Sequence, residues 1–183
     1  KENLKVTIKG HVGYYCGGMN KNAEIVIDGN AGTGLGENMM SGIIHVKGNV
    51  SQSAGATAHG GTIIINGNAS SRCGISLKGA NLIVKGSVGH MSAFMAQSGT
   101  LLVCGNAGEA LGDSIYETVI YLAGKPKSLG VDCEEKNITK KDLIKIEELL
   151  KIGNIKNIKA NKFKKYGSAR KLYNFQIDNI SDY

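Results

Sequence analysis

Hydrophobic positions in this chain repeat every 19 residues, a period that fits stacked coils and not the 3.6-residue period of a helix. Counting back from a recurrent glycine, the fourth and second residues are aliphatic in every repeat, while the residue directly before the glycine is mostly polar. This alternation predicts one short strand per repeat, with one face turned inward. The fourth-residue column is Val6, Ile25, Ile44, Ile63, Leu82, Leu101 and Ile120, and the second-residue column is Ile8, Ile27, Val46, Ile65, Val84, Val103 and Leu122.

A further apolar column lies two residues after each glycine, from Val12 to Pro126, so the chain is expected to bend at the glycine and continue as a second strand. A left-handed hexapeptide solenoid is the main competitor, but 19 is not a multiple of six. We therefore predict an all-β fold, a single-stranded right-handed parallel β-helix of about seven 19-residue coils with a C-terminal helical and extended tail. The structural turn glycines are Gly10, Gly29, Gly48, Gly67, Gly86, Gly105 and Gly124.

Polar and small residues form three more columns. An asparagine directly follows the glycine in most repeats, which predicts a ladder of stacked side-chain amides. Glycines also recur three and seven residues after the repeat glycine, and both sets are expected to turn corners with positive φ. The asparagines are Asn30, Asn49, Asn68 and Asn106; the two glycine sets are Gly13, Gly32, Gly89 and Gly108, and Gly17, Gly36, Gly55, Gly74 and Gly112.

The repeat decays after Gly124, which divides the chain into a β-helix domain at residues 1–135 and a tail at residues 136–183. Thr139 followed by Asp142 resembles a capping box, and an apolar face predicts a helix over about residues 140–151 that ends near Gly153. Because open solenoid ends expose strand edges, the helix and the basic tail are expected to cap the solenoid or contact a partner. The segment Asn161–Ile180 is expected to be an extended strap.

The net charge of +7 comes from the tail, since residues 1–135 hold 10 basic and 10 acidic residues, whereas residues 136–183 hold 12 and 5. Without an aromatic stacking platform, this distribution does not favour nucleic-acid binding. The chain shows no signal-peptide pattern and no apolar run near 18 residues, so we expect a cytoplasmic protein that does not enter membranes.

Residues that usually carry chemistry are scattered. The four cysteines, Cys16, Cys73, Cys104 and Cys133, form no C-x-x-C pair, and the four histidines do not converge by sequence. The segment Gly32-Thr-Gly34-Leu-Gly36 looks like a phosphate loop, but a strand follows it where the dinucleotide fingerprint needs a helix, so corner glycines are the better interpretation. We predict no catalytic, cofactor-binding or metal-binding residue in this chain.

Two methionine-rich stretches on one side of the predicted prism suggest a docking surface, and simple packing inside the turns is the alternative. The only arginine in the coils lies in a turn and is expected at the surface or at an interface. The candidate interface residues are Met39, Met40, Arg72, Met91 and Met95.

Four segments, at residues 13–19, 32–42, 55–61 and 121–130, resemble the GXGXG domain at the C-terminal end of the large subunit of glutamate synthase. The resemblance covers nearly the whole chain, and the ending Arg170-Lys-Leu-Tyr173 is similar to the glutamate synthase branch. Similar domains form one of the subunits of formylmethanofuran dehydrogenase and a subunit of N-methylglutamate synthase-like assemblies.

The resemblance implies a β-helix that supplies no catalytic residue and braces two catalytic parts, as a free-standing subunit of an archaeal-type glutamate synthase. It implies a glutamine amidotransferase partner and a synthase partner that holds FMN and an iron–sulfur cluster; a homo-oligomer is also compatible. One alternative is the GXGXG component of formylmethanofuran dehydrogenase. Another is a stand-alone carbohydrate-active β-helix, for which Asp28, Glu37, Glu109 and Asp113 would have to cluster.

Overall fold

The computed structural model of the protein describes residues 4–171, which form nine strands, one α-helix and one 3₁₀ turn. The helix α1 spans Lys140–Ile152, and the 3₁₀ turn spans Ala160–Lys162. The strands are β1 (Lys5–Lys9), β2 (Glu24–Asp28), β3 (Ile43–Val46), β4 (Thr62–Ile65), β5 (Lys78–Val84), β6 (Ser98–Val103), β7 (Val119–Leu122), β8 (Cys133–Lys136) and β9 (Lys164–Ser168).

Strands β1 to β7 pair in parallel and in sequence order, and each residue lies beside the residue 19 positions later. A bulge between Lys78 and Asn81 shifts the register at the start of the β5–β6 pair. The predicted all-β parallel solenoid is confirmed, with six turns joining seven strands. We number the coils from strand to strand, so the first coil is residues 5–23, the second is residues 24–42, and the seventh begins at residue 119.

The predicted inward columns form the core. From the third coil onward their aliphatic side chains are fully buried, whereas Ile8 and Ile25 near the start of the stack are only partly buried. The column that ends at Pro126 forms isolated parallel bridges from coil to coil and supplies the opposite wall. The core therefore runs along the solenoid axis, and it is least covered at the first coil.

A third side of each coil consists of turns, which we call the turn wall: residues 14–19, 33–38, 52–57, 71–76, 90–95 and 112–114. Every second residue of this wall has a positive φ, and the same positions recur 19 residues apart. The Gly17, Gly36, Gly55, Gly74 and Gly112 column has φ between +64° and +71°, which confirms the expectation of positive φ for that set.

The same expectation is wrong for the glycines three residues after the repeat glycine, since Gly13, Gly32, Gly89 and Gly108 do not have positive φ. At Gly32, Gly89 and Gly108 small size matters instead, because a Cβ on Gly32 would lie 2.7 Å from the Gly13 carbonyl oxygen of the coil below, whereas Gly13 has no neighbour within 4 Å. Among the seven repeat glycines, only Gly10 has a positive φ. At the other six repeat glycines, close approach of the neighbouring coil is what demands glycine.

The asparagine column explains that close approach. Each asparagine turns its side-chain oxygen onto the backbone of the next coil: the Asn49 N–H donates to Asn30 Oδ1 at 2.8 Å, and the Asn68 N–H donates to Asn49 Oδ1 at 2.8 Å. A Cβ on Gly48 would overlap the same Asn30 oxygen. The predicted amide ladder is therefore present as side-chain-to-backbone hydrogen bonds, and not as stacked side-chain amides.

The helix α1 matches the predicted range of about 140–151 and packs on the outer face of the sheet. The outward side chains of Ile64, Ile83, Leu102 and Tyr121 form a second apolar cluster with Ile146, Leu149, Leu150, Ala160 and Phe163. The helix thus lies along the side of the solenoid, over the last four coils. This outward apolar column was not singled out in the sequence.

Asp142 fixes the helix to the sheet. Its carboxylate accepts hydrogen bonds from the Tyr121 hydroxyl at 2.7 Å and from the Thr139 N–H at 2.8 Å, and it lies 2.9 Å from Lys165 Nζ. Burial alone would raise the pKa of the Asp142 carboxyl, but these hydrogen bonds outweigh burial and hold that pKa well below its usual range. Burial and the hydrogen bond to Asp142 raise the pKa of Tyr121.

The strap that follows the helix covers the C-terminal edge of the sheet. Strand β9 pairs antiparallel with β7, placing Tyr166 beside Ile120, and its other edge pairs with β8. Phe163 and Tyr166 are buried. The remainder of the predicted strap, from Leu172 to Ile180, lies outside the described residues.

Candidate functional site

The glycine-rich segment at residues 32–36 is filled by side chains of this chain. A Cβ on Gly34 would lie 2.5 Å from the Tyr15 ring, and a Cβ on Gly36 would lie 2.6 Å from Ile63 Cδ1 in the core. A phosphate cradle instead needs free backbone amides that face an open space. The segment is therefore an ordinary part of the turn wall, as the sequence predicted.

The burial of the four thiols disfavours a role as nucleophiles. Burial raises the pKa of Cys73 to about 12, of Cys104 to about 11 and of Cys133 to about 12, and it also raises the pKa of Cys16. Because the thiolate is the reactive form, these cysteines stay protonated at neutral pH. Cys73 and Cys133 lie in the core.

Two histidines act in hydrogen bonds between coils. His11 occupies the first position of the asparagine column, where its Nδ1 accepts from the Asn30 N–H at 2.9 Å. His45 lies on the outer face, with Nε2 3.0 Å from Asn66 Oδ1. Among residues 4–171, no group of three or more His, Cys, Asp or Glu side chains could hold a metal ion.

The four acids named for a carbohydrate-active site do not form one cluster. Asp28 and Glu37 belong to the second coil, and Glu109 and Asp113 belong to the sixth, so four coil spacings of ~4.8 Å separate the two pairs by about 19 Å. Paired glycosidase carboxylates lie about 5–10 Å apart. Asp28 and Glu109 are also held by ion pairs with Lys47 and Lys127.

The predicted interface residues differ in their exposure and in their place in the fold. Met39 is fully buried in the core, so its place among the interface candidates is wrong; its side chain fills the space beneath Gly61. Arg72 and Met91 occupy equivalent turn-wall positions in neighbouring coils, and Met95 follows in the same coil as Met91. Met40 lies just beyond the turn wall, with about half of its side chain exposed.

A more exposed group lies on the first coil and was not predicted from the sequence. Tyr14 is 76% exposed and Met19 is 73% exposed, and Tyr15 stands edge-on to Tyr14 with ring centroids 6.3 Å apart. The 19-residue register contains a signal for them, because Tyr15 falls in the column of Arg72 and Met91, and Met19 falls in the column of Met95. The turn wall therefore carries its largest exposed apolar residues at the N-terminal end of the stack.

Comparison with known proteins agrees with this architecture. A family model described as the GXGXG motif matches residues 57–178. The chain belongs to the GXGXG family. A relative, Protein GlxC of Rhizobium meliloti (strain 1021), is 63% identical over 178 residues, which are 97% of this chain and 78% of the relative.

In this GXGXG family member, several of the conspicuous residues hold the coils together. Gly34 and Gly36 belong to the turn wall, Cys73 and Cys133 lie in the core, and His11 and His45 hydrogen-bond between coils. Within residues 4–171, no helix has both the length and the apolar character needed to cross a membrane. The most exposed large apolar side chains of the turn wall, Tyr14 and Met19, lie on the first coil.

Proposed function

We propose that this chain is a non-catalytic structural subunit of a glutamate synthase complex, which makes glutamate from glutamine and 2-oxoglutarate in nitrogen assimilation. In this proposal it is a cytoplasmic, free-standing subunit that braces a glutamine amidotransferase and a synthase chain. FMN and the iron–sulfur cluster belong to the synthase chain. The hydride and electron chemistry that they supply takes place outside this chain.

The observation that carries the proposal is membership of the GXGXG family in a chain whose glycine-rich segment at residues 32–36 is packed against Tyr15 and Ile63. A segment packed against the protein's own side chains leaves no space for a nucleotide, which supports a scaffold role. The relative that aligns over 97% of the chain supports a role shared along the full length of the solenoid. The uninterrupted ladder from β1 to β7 gives a stiff support for larger partners.

Purification of the complex from native cells tests the proposal. The full-length chain with an affinity tag should recover a flavin-containing synthase chain and an amidotransferase chain, and the eluate should form glutamate from glutamine and 2-oxoglutarate when a reductant is added. An untagged strain is the control. Recovery of a molybdenum or tungsten dehydrogenase would instead favour the formylmethanofuran dehydrogenase alternative.

The non-catalytic role has its own test. Glu37→Gln and His90→Gln remove two titratable groups of the solenoid surface, and neither should change kcat of the purified complex by more than about twofold, because a residue outside the reacting centre contributes little to the transition state. A loss of tenfold or more in kcat, with the complex intact by size-exclusion chromatography, contradicts the proposal.

A further inference from the structure

The two ends of the solenoid are finished differently. At the C-terminal end, β9 pairs with the edge of β7. In addition, the only proline of the chain, Pro126, occupies the column in which Val88 and Ala107 donate their N–H groups to the next coil. Because proline has no N–H, it leaves no unpaired donor at this edge. Pro126 and β9 therefore cover the last coil, and β8, which pairs with the other side of β9, is the edge strand at this end of the sheet.

The N-terminal end lacks such protection within residues 4–171. In the second coil, the Gly32 N–H donates to the Val12 carbonyl and the Gly36 N–H donates to the Cys16 carbonyl of the coil below. The equivalent amides of the first coil belong to Gly13 and Gly17, and no acceptor for them lies in the described part of the chain. Together with β1, which is the edge strand of the sheet, these amides form an open ladder.

Exposed apolar side chains surround this open ladder. Leu4 is 65% exposed at the start of β1, and Tyr14 and Met19 extend from the turn wall of the same coil. Amphipathic aromatic side chains and methionine are enriched where proteins bind one another. The first coil therefore combines unpaired backbone groups with apolar anchors.

The charged side chains of β1 indicate which charge a strand added beside it would carry. In the outward column that contains Lys9, the sign of the charge alternates over the first three rungs, Lys9, Asp28 and Lys47, and the column then continues with Asn66 and Lys85. Asp28 pairs with Lys47, and Lys9 makes no ion pair within residues 4–171. Lys5 lies 2.8 Å from Glu24 on the rung above. A strand added along β1 would continue this alternation if it placed an acid beside Lys9.

A second copy of this chain does not satisfy these charges. Antiparallel pairing of two β1 strands in the register that joins all five residues places Lys5 of one copy opposite Lys9 of the other. Like charges directly opposite each other across a strand pair are destabilising. Head-to-tail stacking would place β1 beside β8, the edge strand at the other end, but both acids of β8 are already paired, Glu134 with Lys136 and Glu135 with Lys164.

We propose that the first coil binds an extended segment of a different polypeptide, with Asp or Glu at alternate positions, which adds as a strand along β1. Its backbone pairs with β1 and with the amides of Gly13 and Gly17, and its acids lie beside Lys5 and Lys9. Tyr14 and Met19 form an apolar contact next to that strand. This inference deepens the proposed scaffold role by naming the surface that holds a partner, and it rests on that role for the identity of the partner.

Photo-cross-linking in native cells tests this docking. A benzophenone amino acid replaces Thr7, the outward residue at the centre of β1, in the full-length chain, and mass spectrometry identifies the cross-linked residues. The expected product is a segment of another protein with acids at alternate positions. Cross-linking to a second copy, to another part of this same polypeptide or to a segment without acids overturns the proposal, and so does the absence of any product.

Charge reversal gives a second measurement. Lys9→Glu should reduce the yield of that product at least tenfold, and an acid-to-lysine change in the cross-linked segment should restore it. Lys78→Glu is the matched control, since Lys78 is an exposed lysine in the fourth coil, away from β1, and should leave the yield within twofold. Equal yields for the Lys9 and Lys78 variants contradict the assigned contact.

The two proposals fail separately in this experiment. The identity of the cross-linked protein tests the glutamate synthase assignment, whereas the chemistry and position of the cross-linked residues test strand addition at β1. An acidic segment from an unrelated enzyme supports the docking and contradicts the assignment. A glutamate synthase chain that co-purifies without cross-linking to position 7 supports the assignment and contradicts the docking.

Discussion

At the residue scale, glycine has two different physical roles in this repeat. In the turn wall it supplies a left-handed backbone, as at Gly36, whose φ is +64°. In the repeat column it makes room for the asparagine oxygen of the coil below, as at Gly48. The periodicity located both columns, but only the structure shows which constraint acts at which position.

Gly36→Ala should be strongly destabilising. The left-handed φ costs an L-residue roughly 1–2 kcal/mol, and the new methyl group meets Ile63 Cδ1 at 2.6 Å, which adds about 1–3 kcal/mol of overpacking. Gly13→Ala is the control, because a Cβ there has no neighbour within 4 Å and φ is not positive. Chemical denaturation should separate the two variants; similar unfolding free energies contradict this account of the turn wall.

The asparagine ladder predicts a smaller effect. Asn49→Ala removes the acceptor of the Asn68 N–H and should cost about 1 kcal/mol. Asn49→Ser should lose less than half of that, because Ser87 already performs this role in the fifth coil by accepting from the Asn106 N–H at 3.0 Å. Thermal unfolding of the two variants is the measurement, and equal destabilisation argues against a ladder contribution.

At the scale of elements, the tail is part of the solenoid's packing. The helix α1 covers the outward column from Ile64 to Tyr121, and β9 continues the sheet beyond β7. The amphipathic pattern predicted the helix and its buried face. It did not predict the position of the helix on the side of the stack, because that position depends on a matching apolar column in four separate strands.

The Asp142 anchor predicts an acid-sensitive contribution to stability. A carboxyl whose pKa is lowered by folding contributes stability above its unfolded pKa of about 4, and this contribution is lost as the pH falls below that value. Asp142→Asn should destabilise the protein by roughly 2–4 kcal/mol at pH 7, since Lys165 and Tyr121 lose a charged acceptor.

The difference between the wild type and Asp142→Asn should shrink progressively as the pH is lowered from about 5 toward about 2. Unfolding in urea at several pH values measures it. Glu148→Gln is the control, because Glu148 lies on the exposed side of the same helix. A difference that stays constant across this range shows that the charge of Asp142 does not anchor the helix.

At the scale of the whole molecule, the two ends of the sheet differ: β9 and β8 extend it beyond β7, whereas β1 is the edge strand at the other end. Tyr166→Ala in β9 should cost about 3–5 kcal/mol through the lost aromatic packing, and it should speed hydrogen exchange in β7 while leaving β3 unchanged. Lys164→Ala on the same strand removes an exposed ion pair and should leave both stability and exchange nearly unchanged. Uniform acceleration of exchange along the stack contradicts local capping.

The sequence by itself determined the period, the inward columns, the helix and the family, because each depends on a regular pattern of side chains along the chain. The tertiary structure decided that Met39 lies in the core and that Tyr14 and Met19 stand exposed at the first coil. It also decided that four of the repeat glycines, Gly48, Gly67, Gly86 and Gly124, lie against an asparagine oxygen of the neighbouring coil. These features depend on contacts between residues 19 positions apart and on which coil lies at an end, and a periodic sequence does not encode either directly.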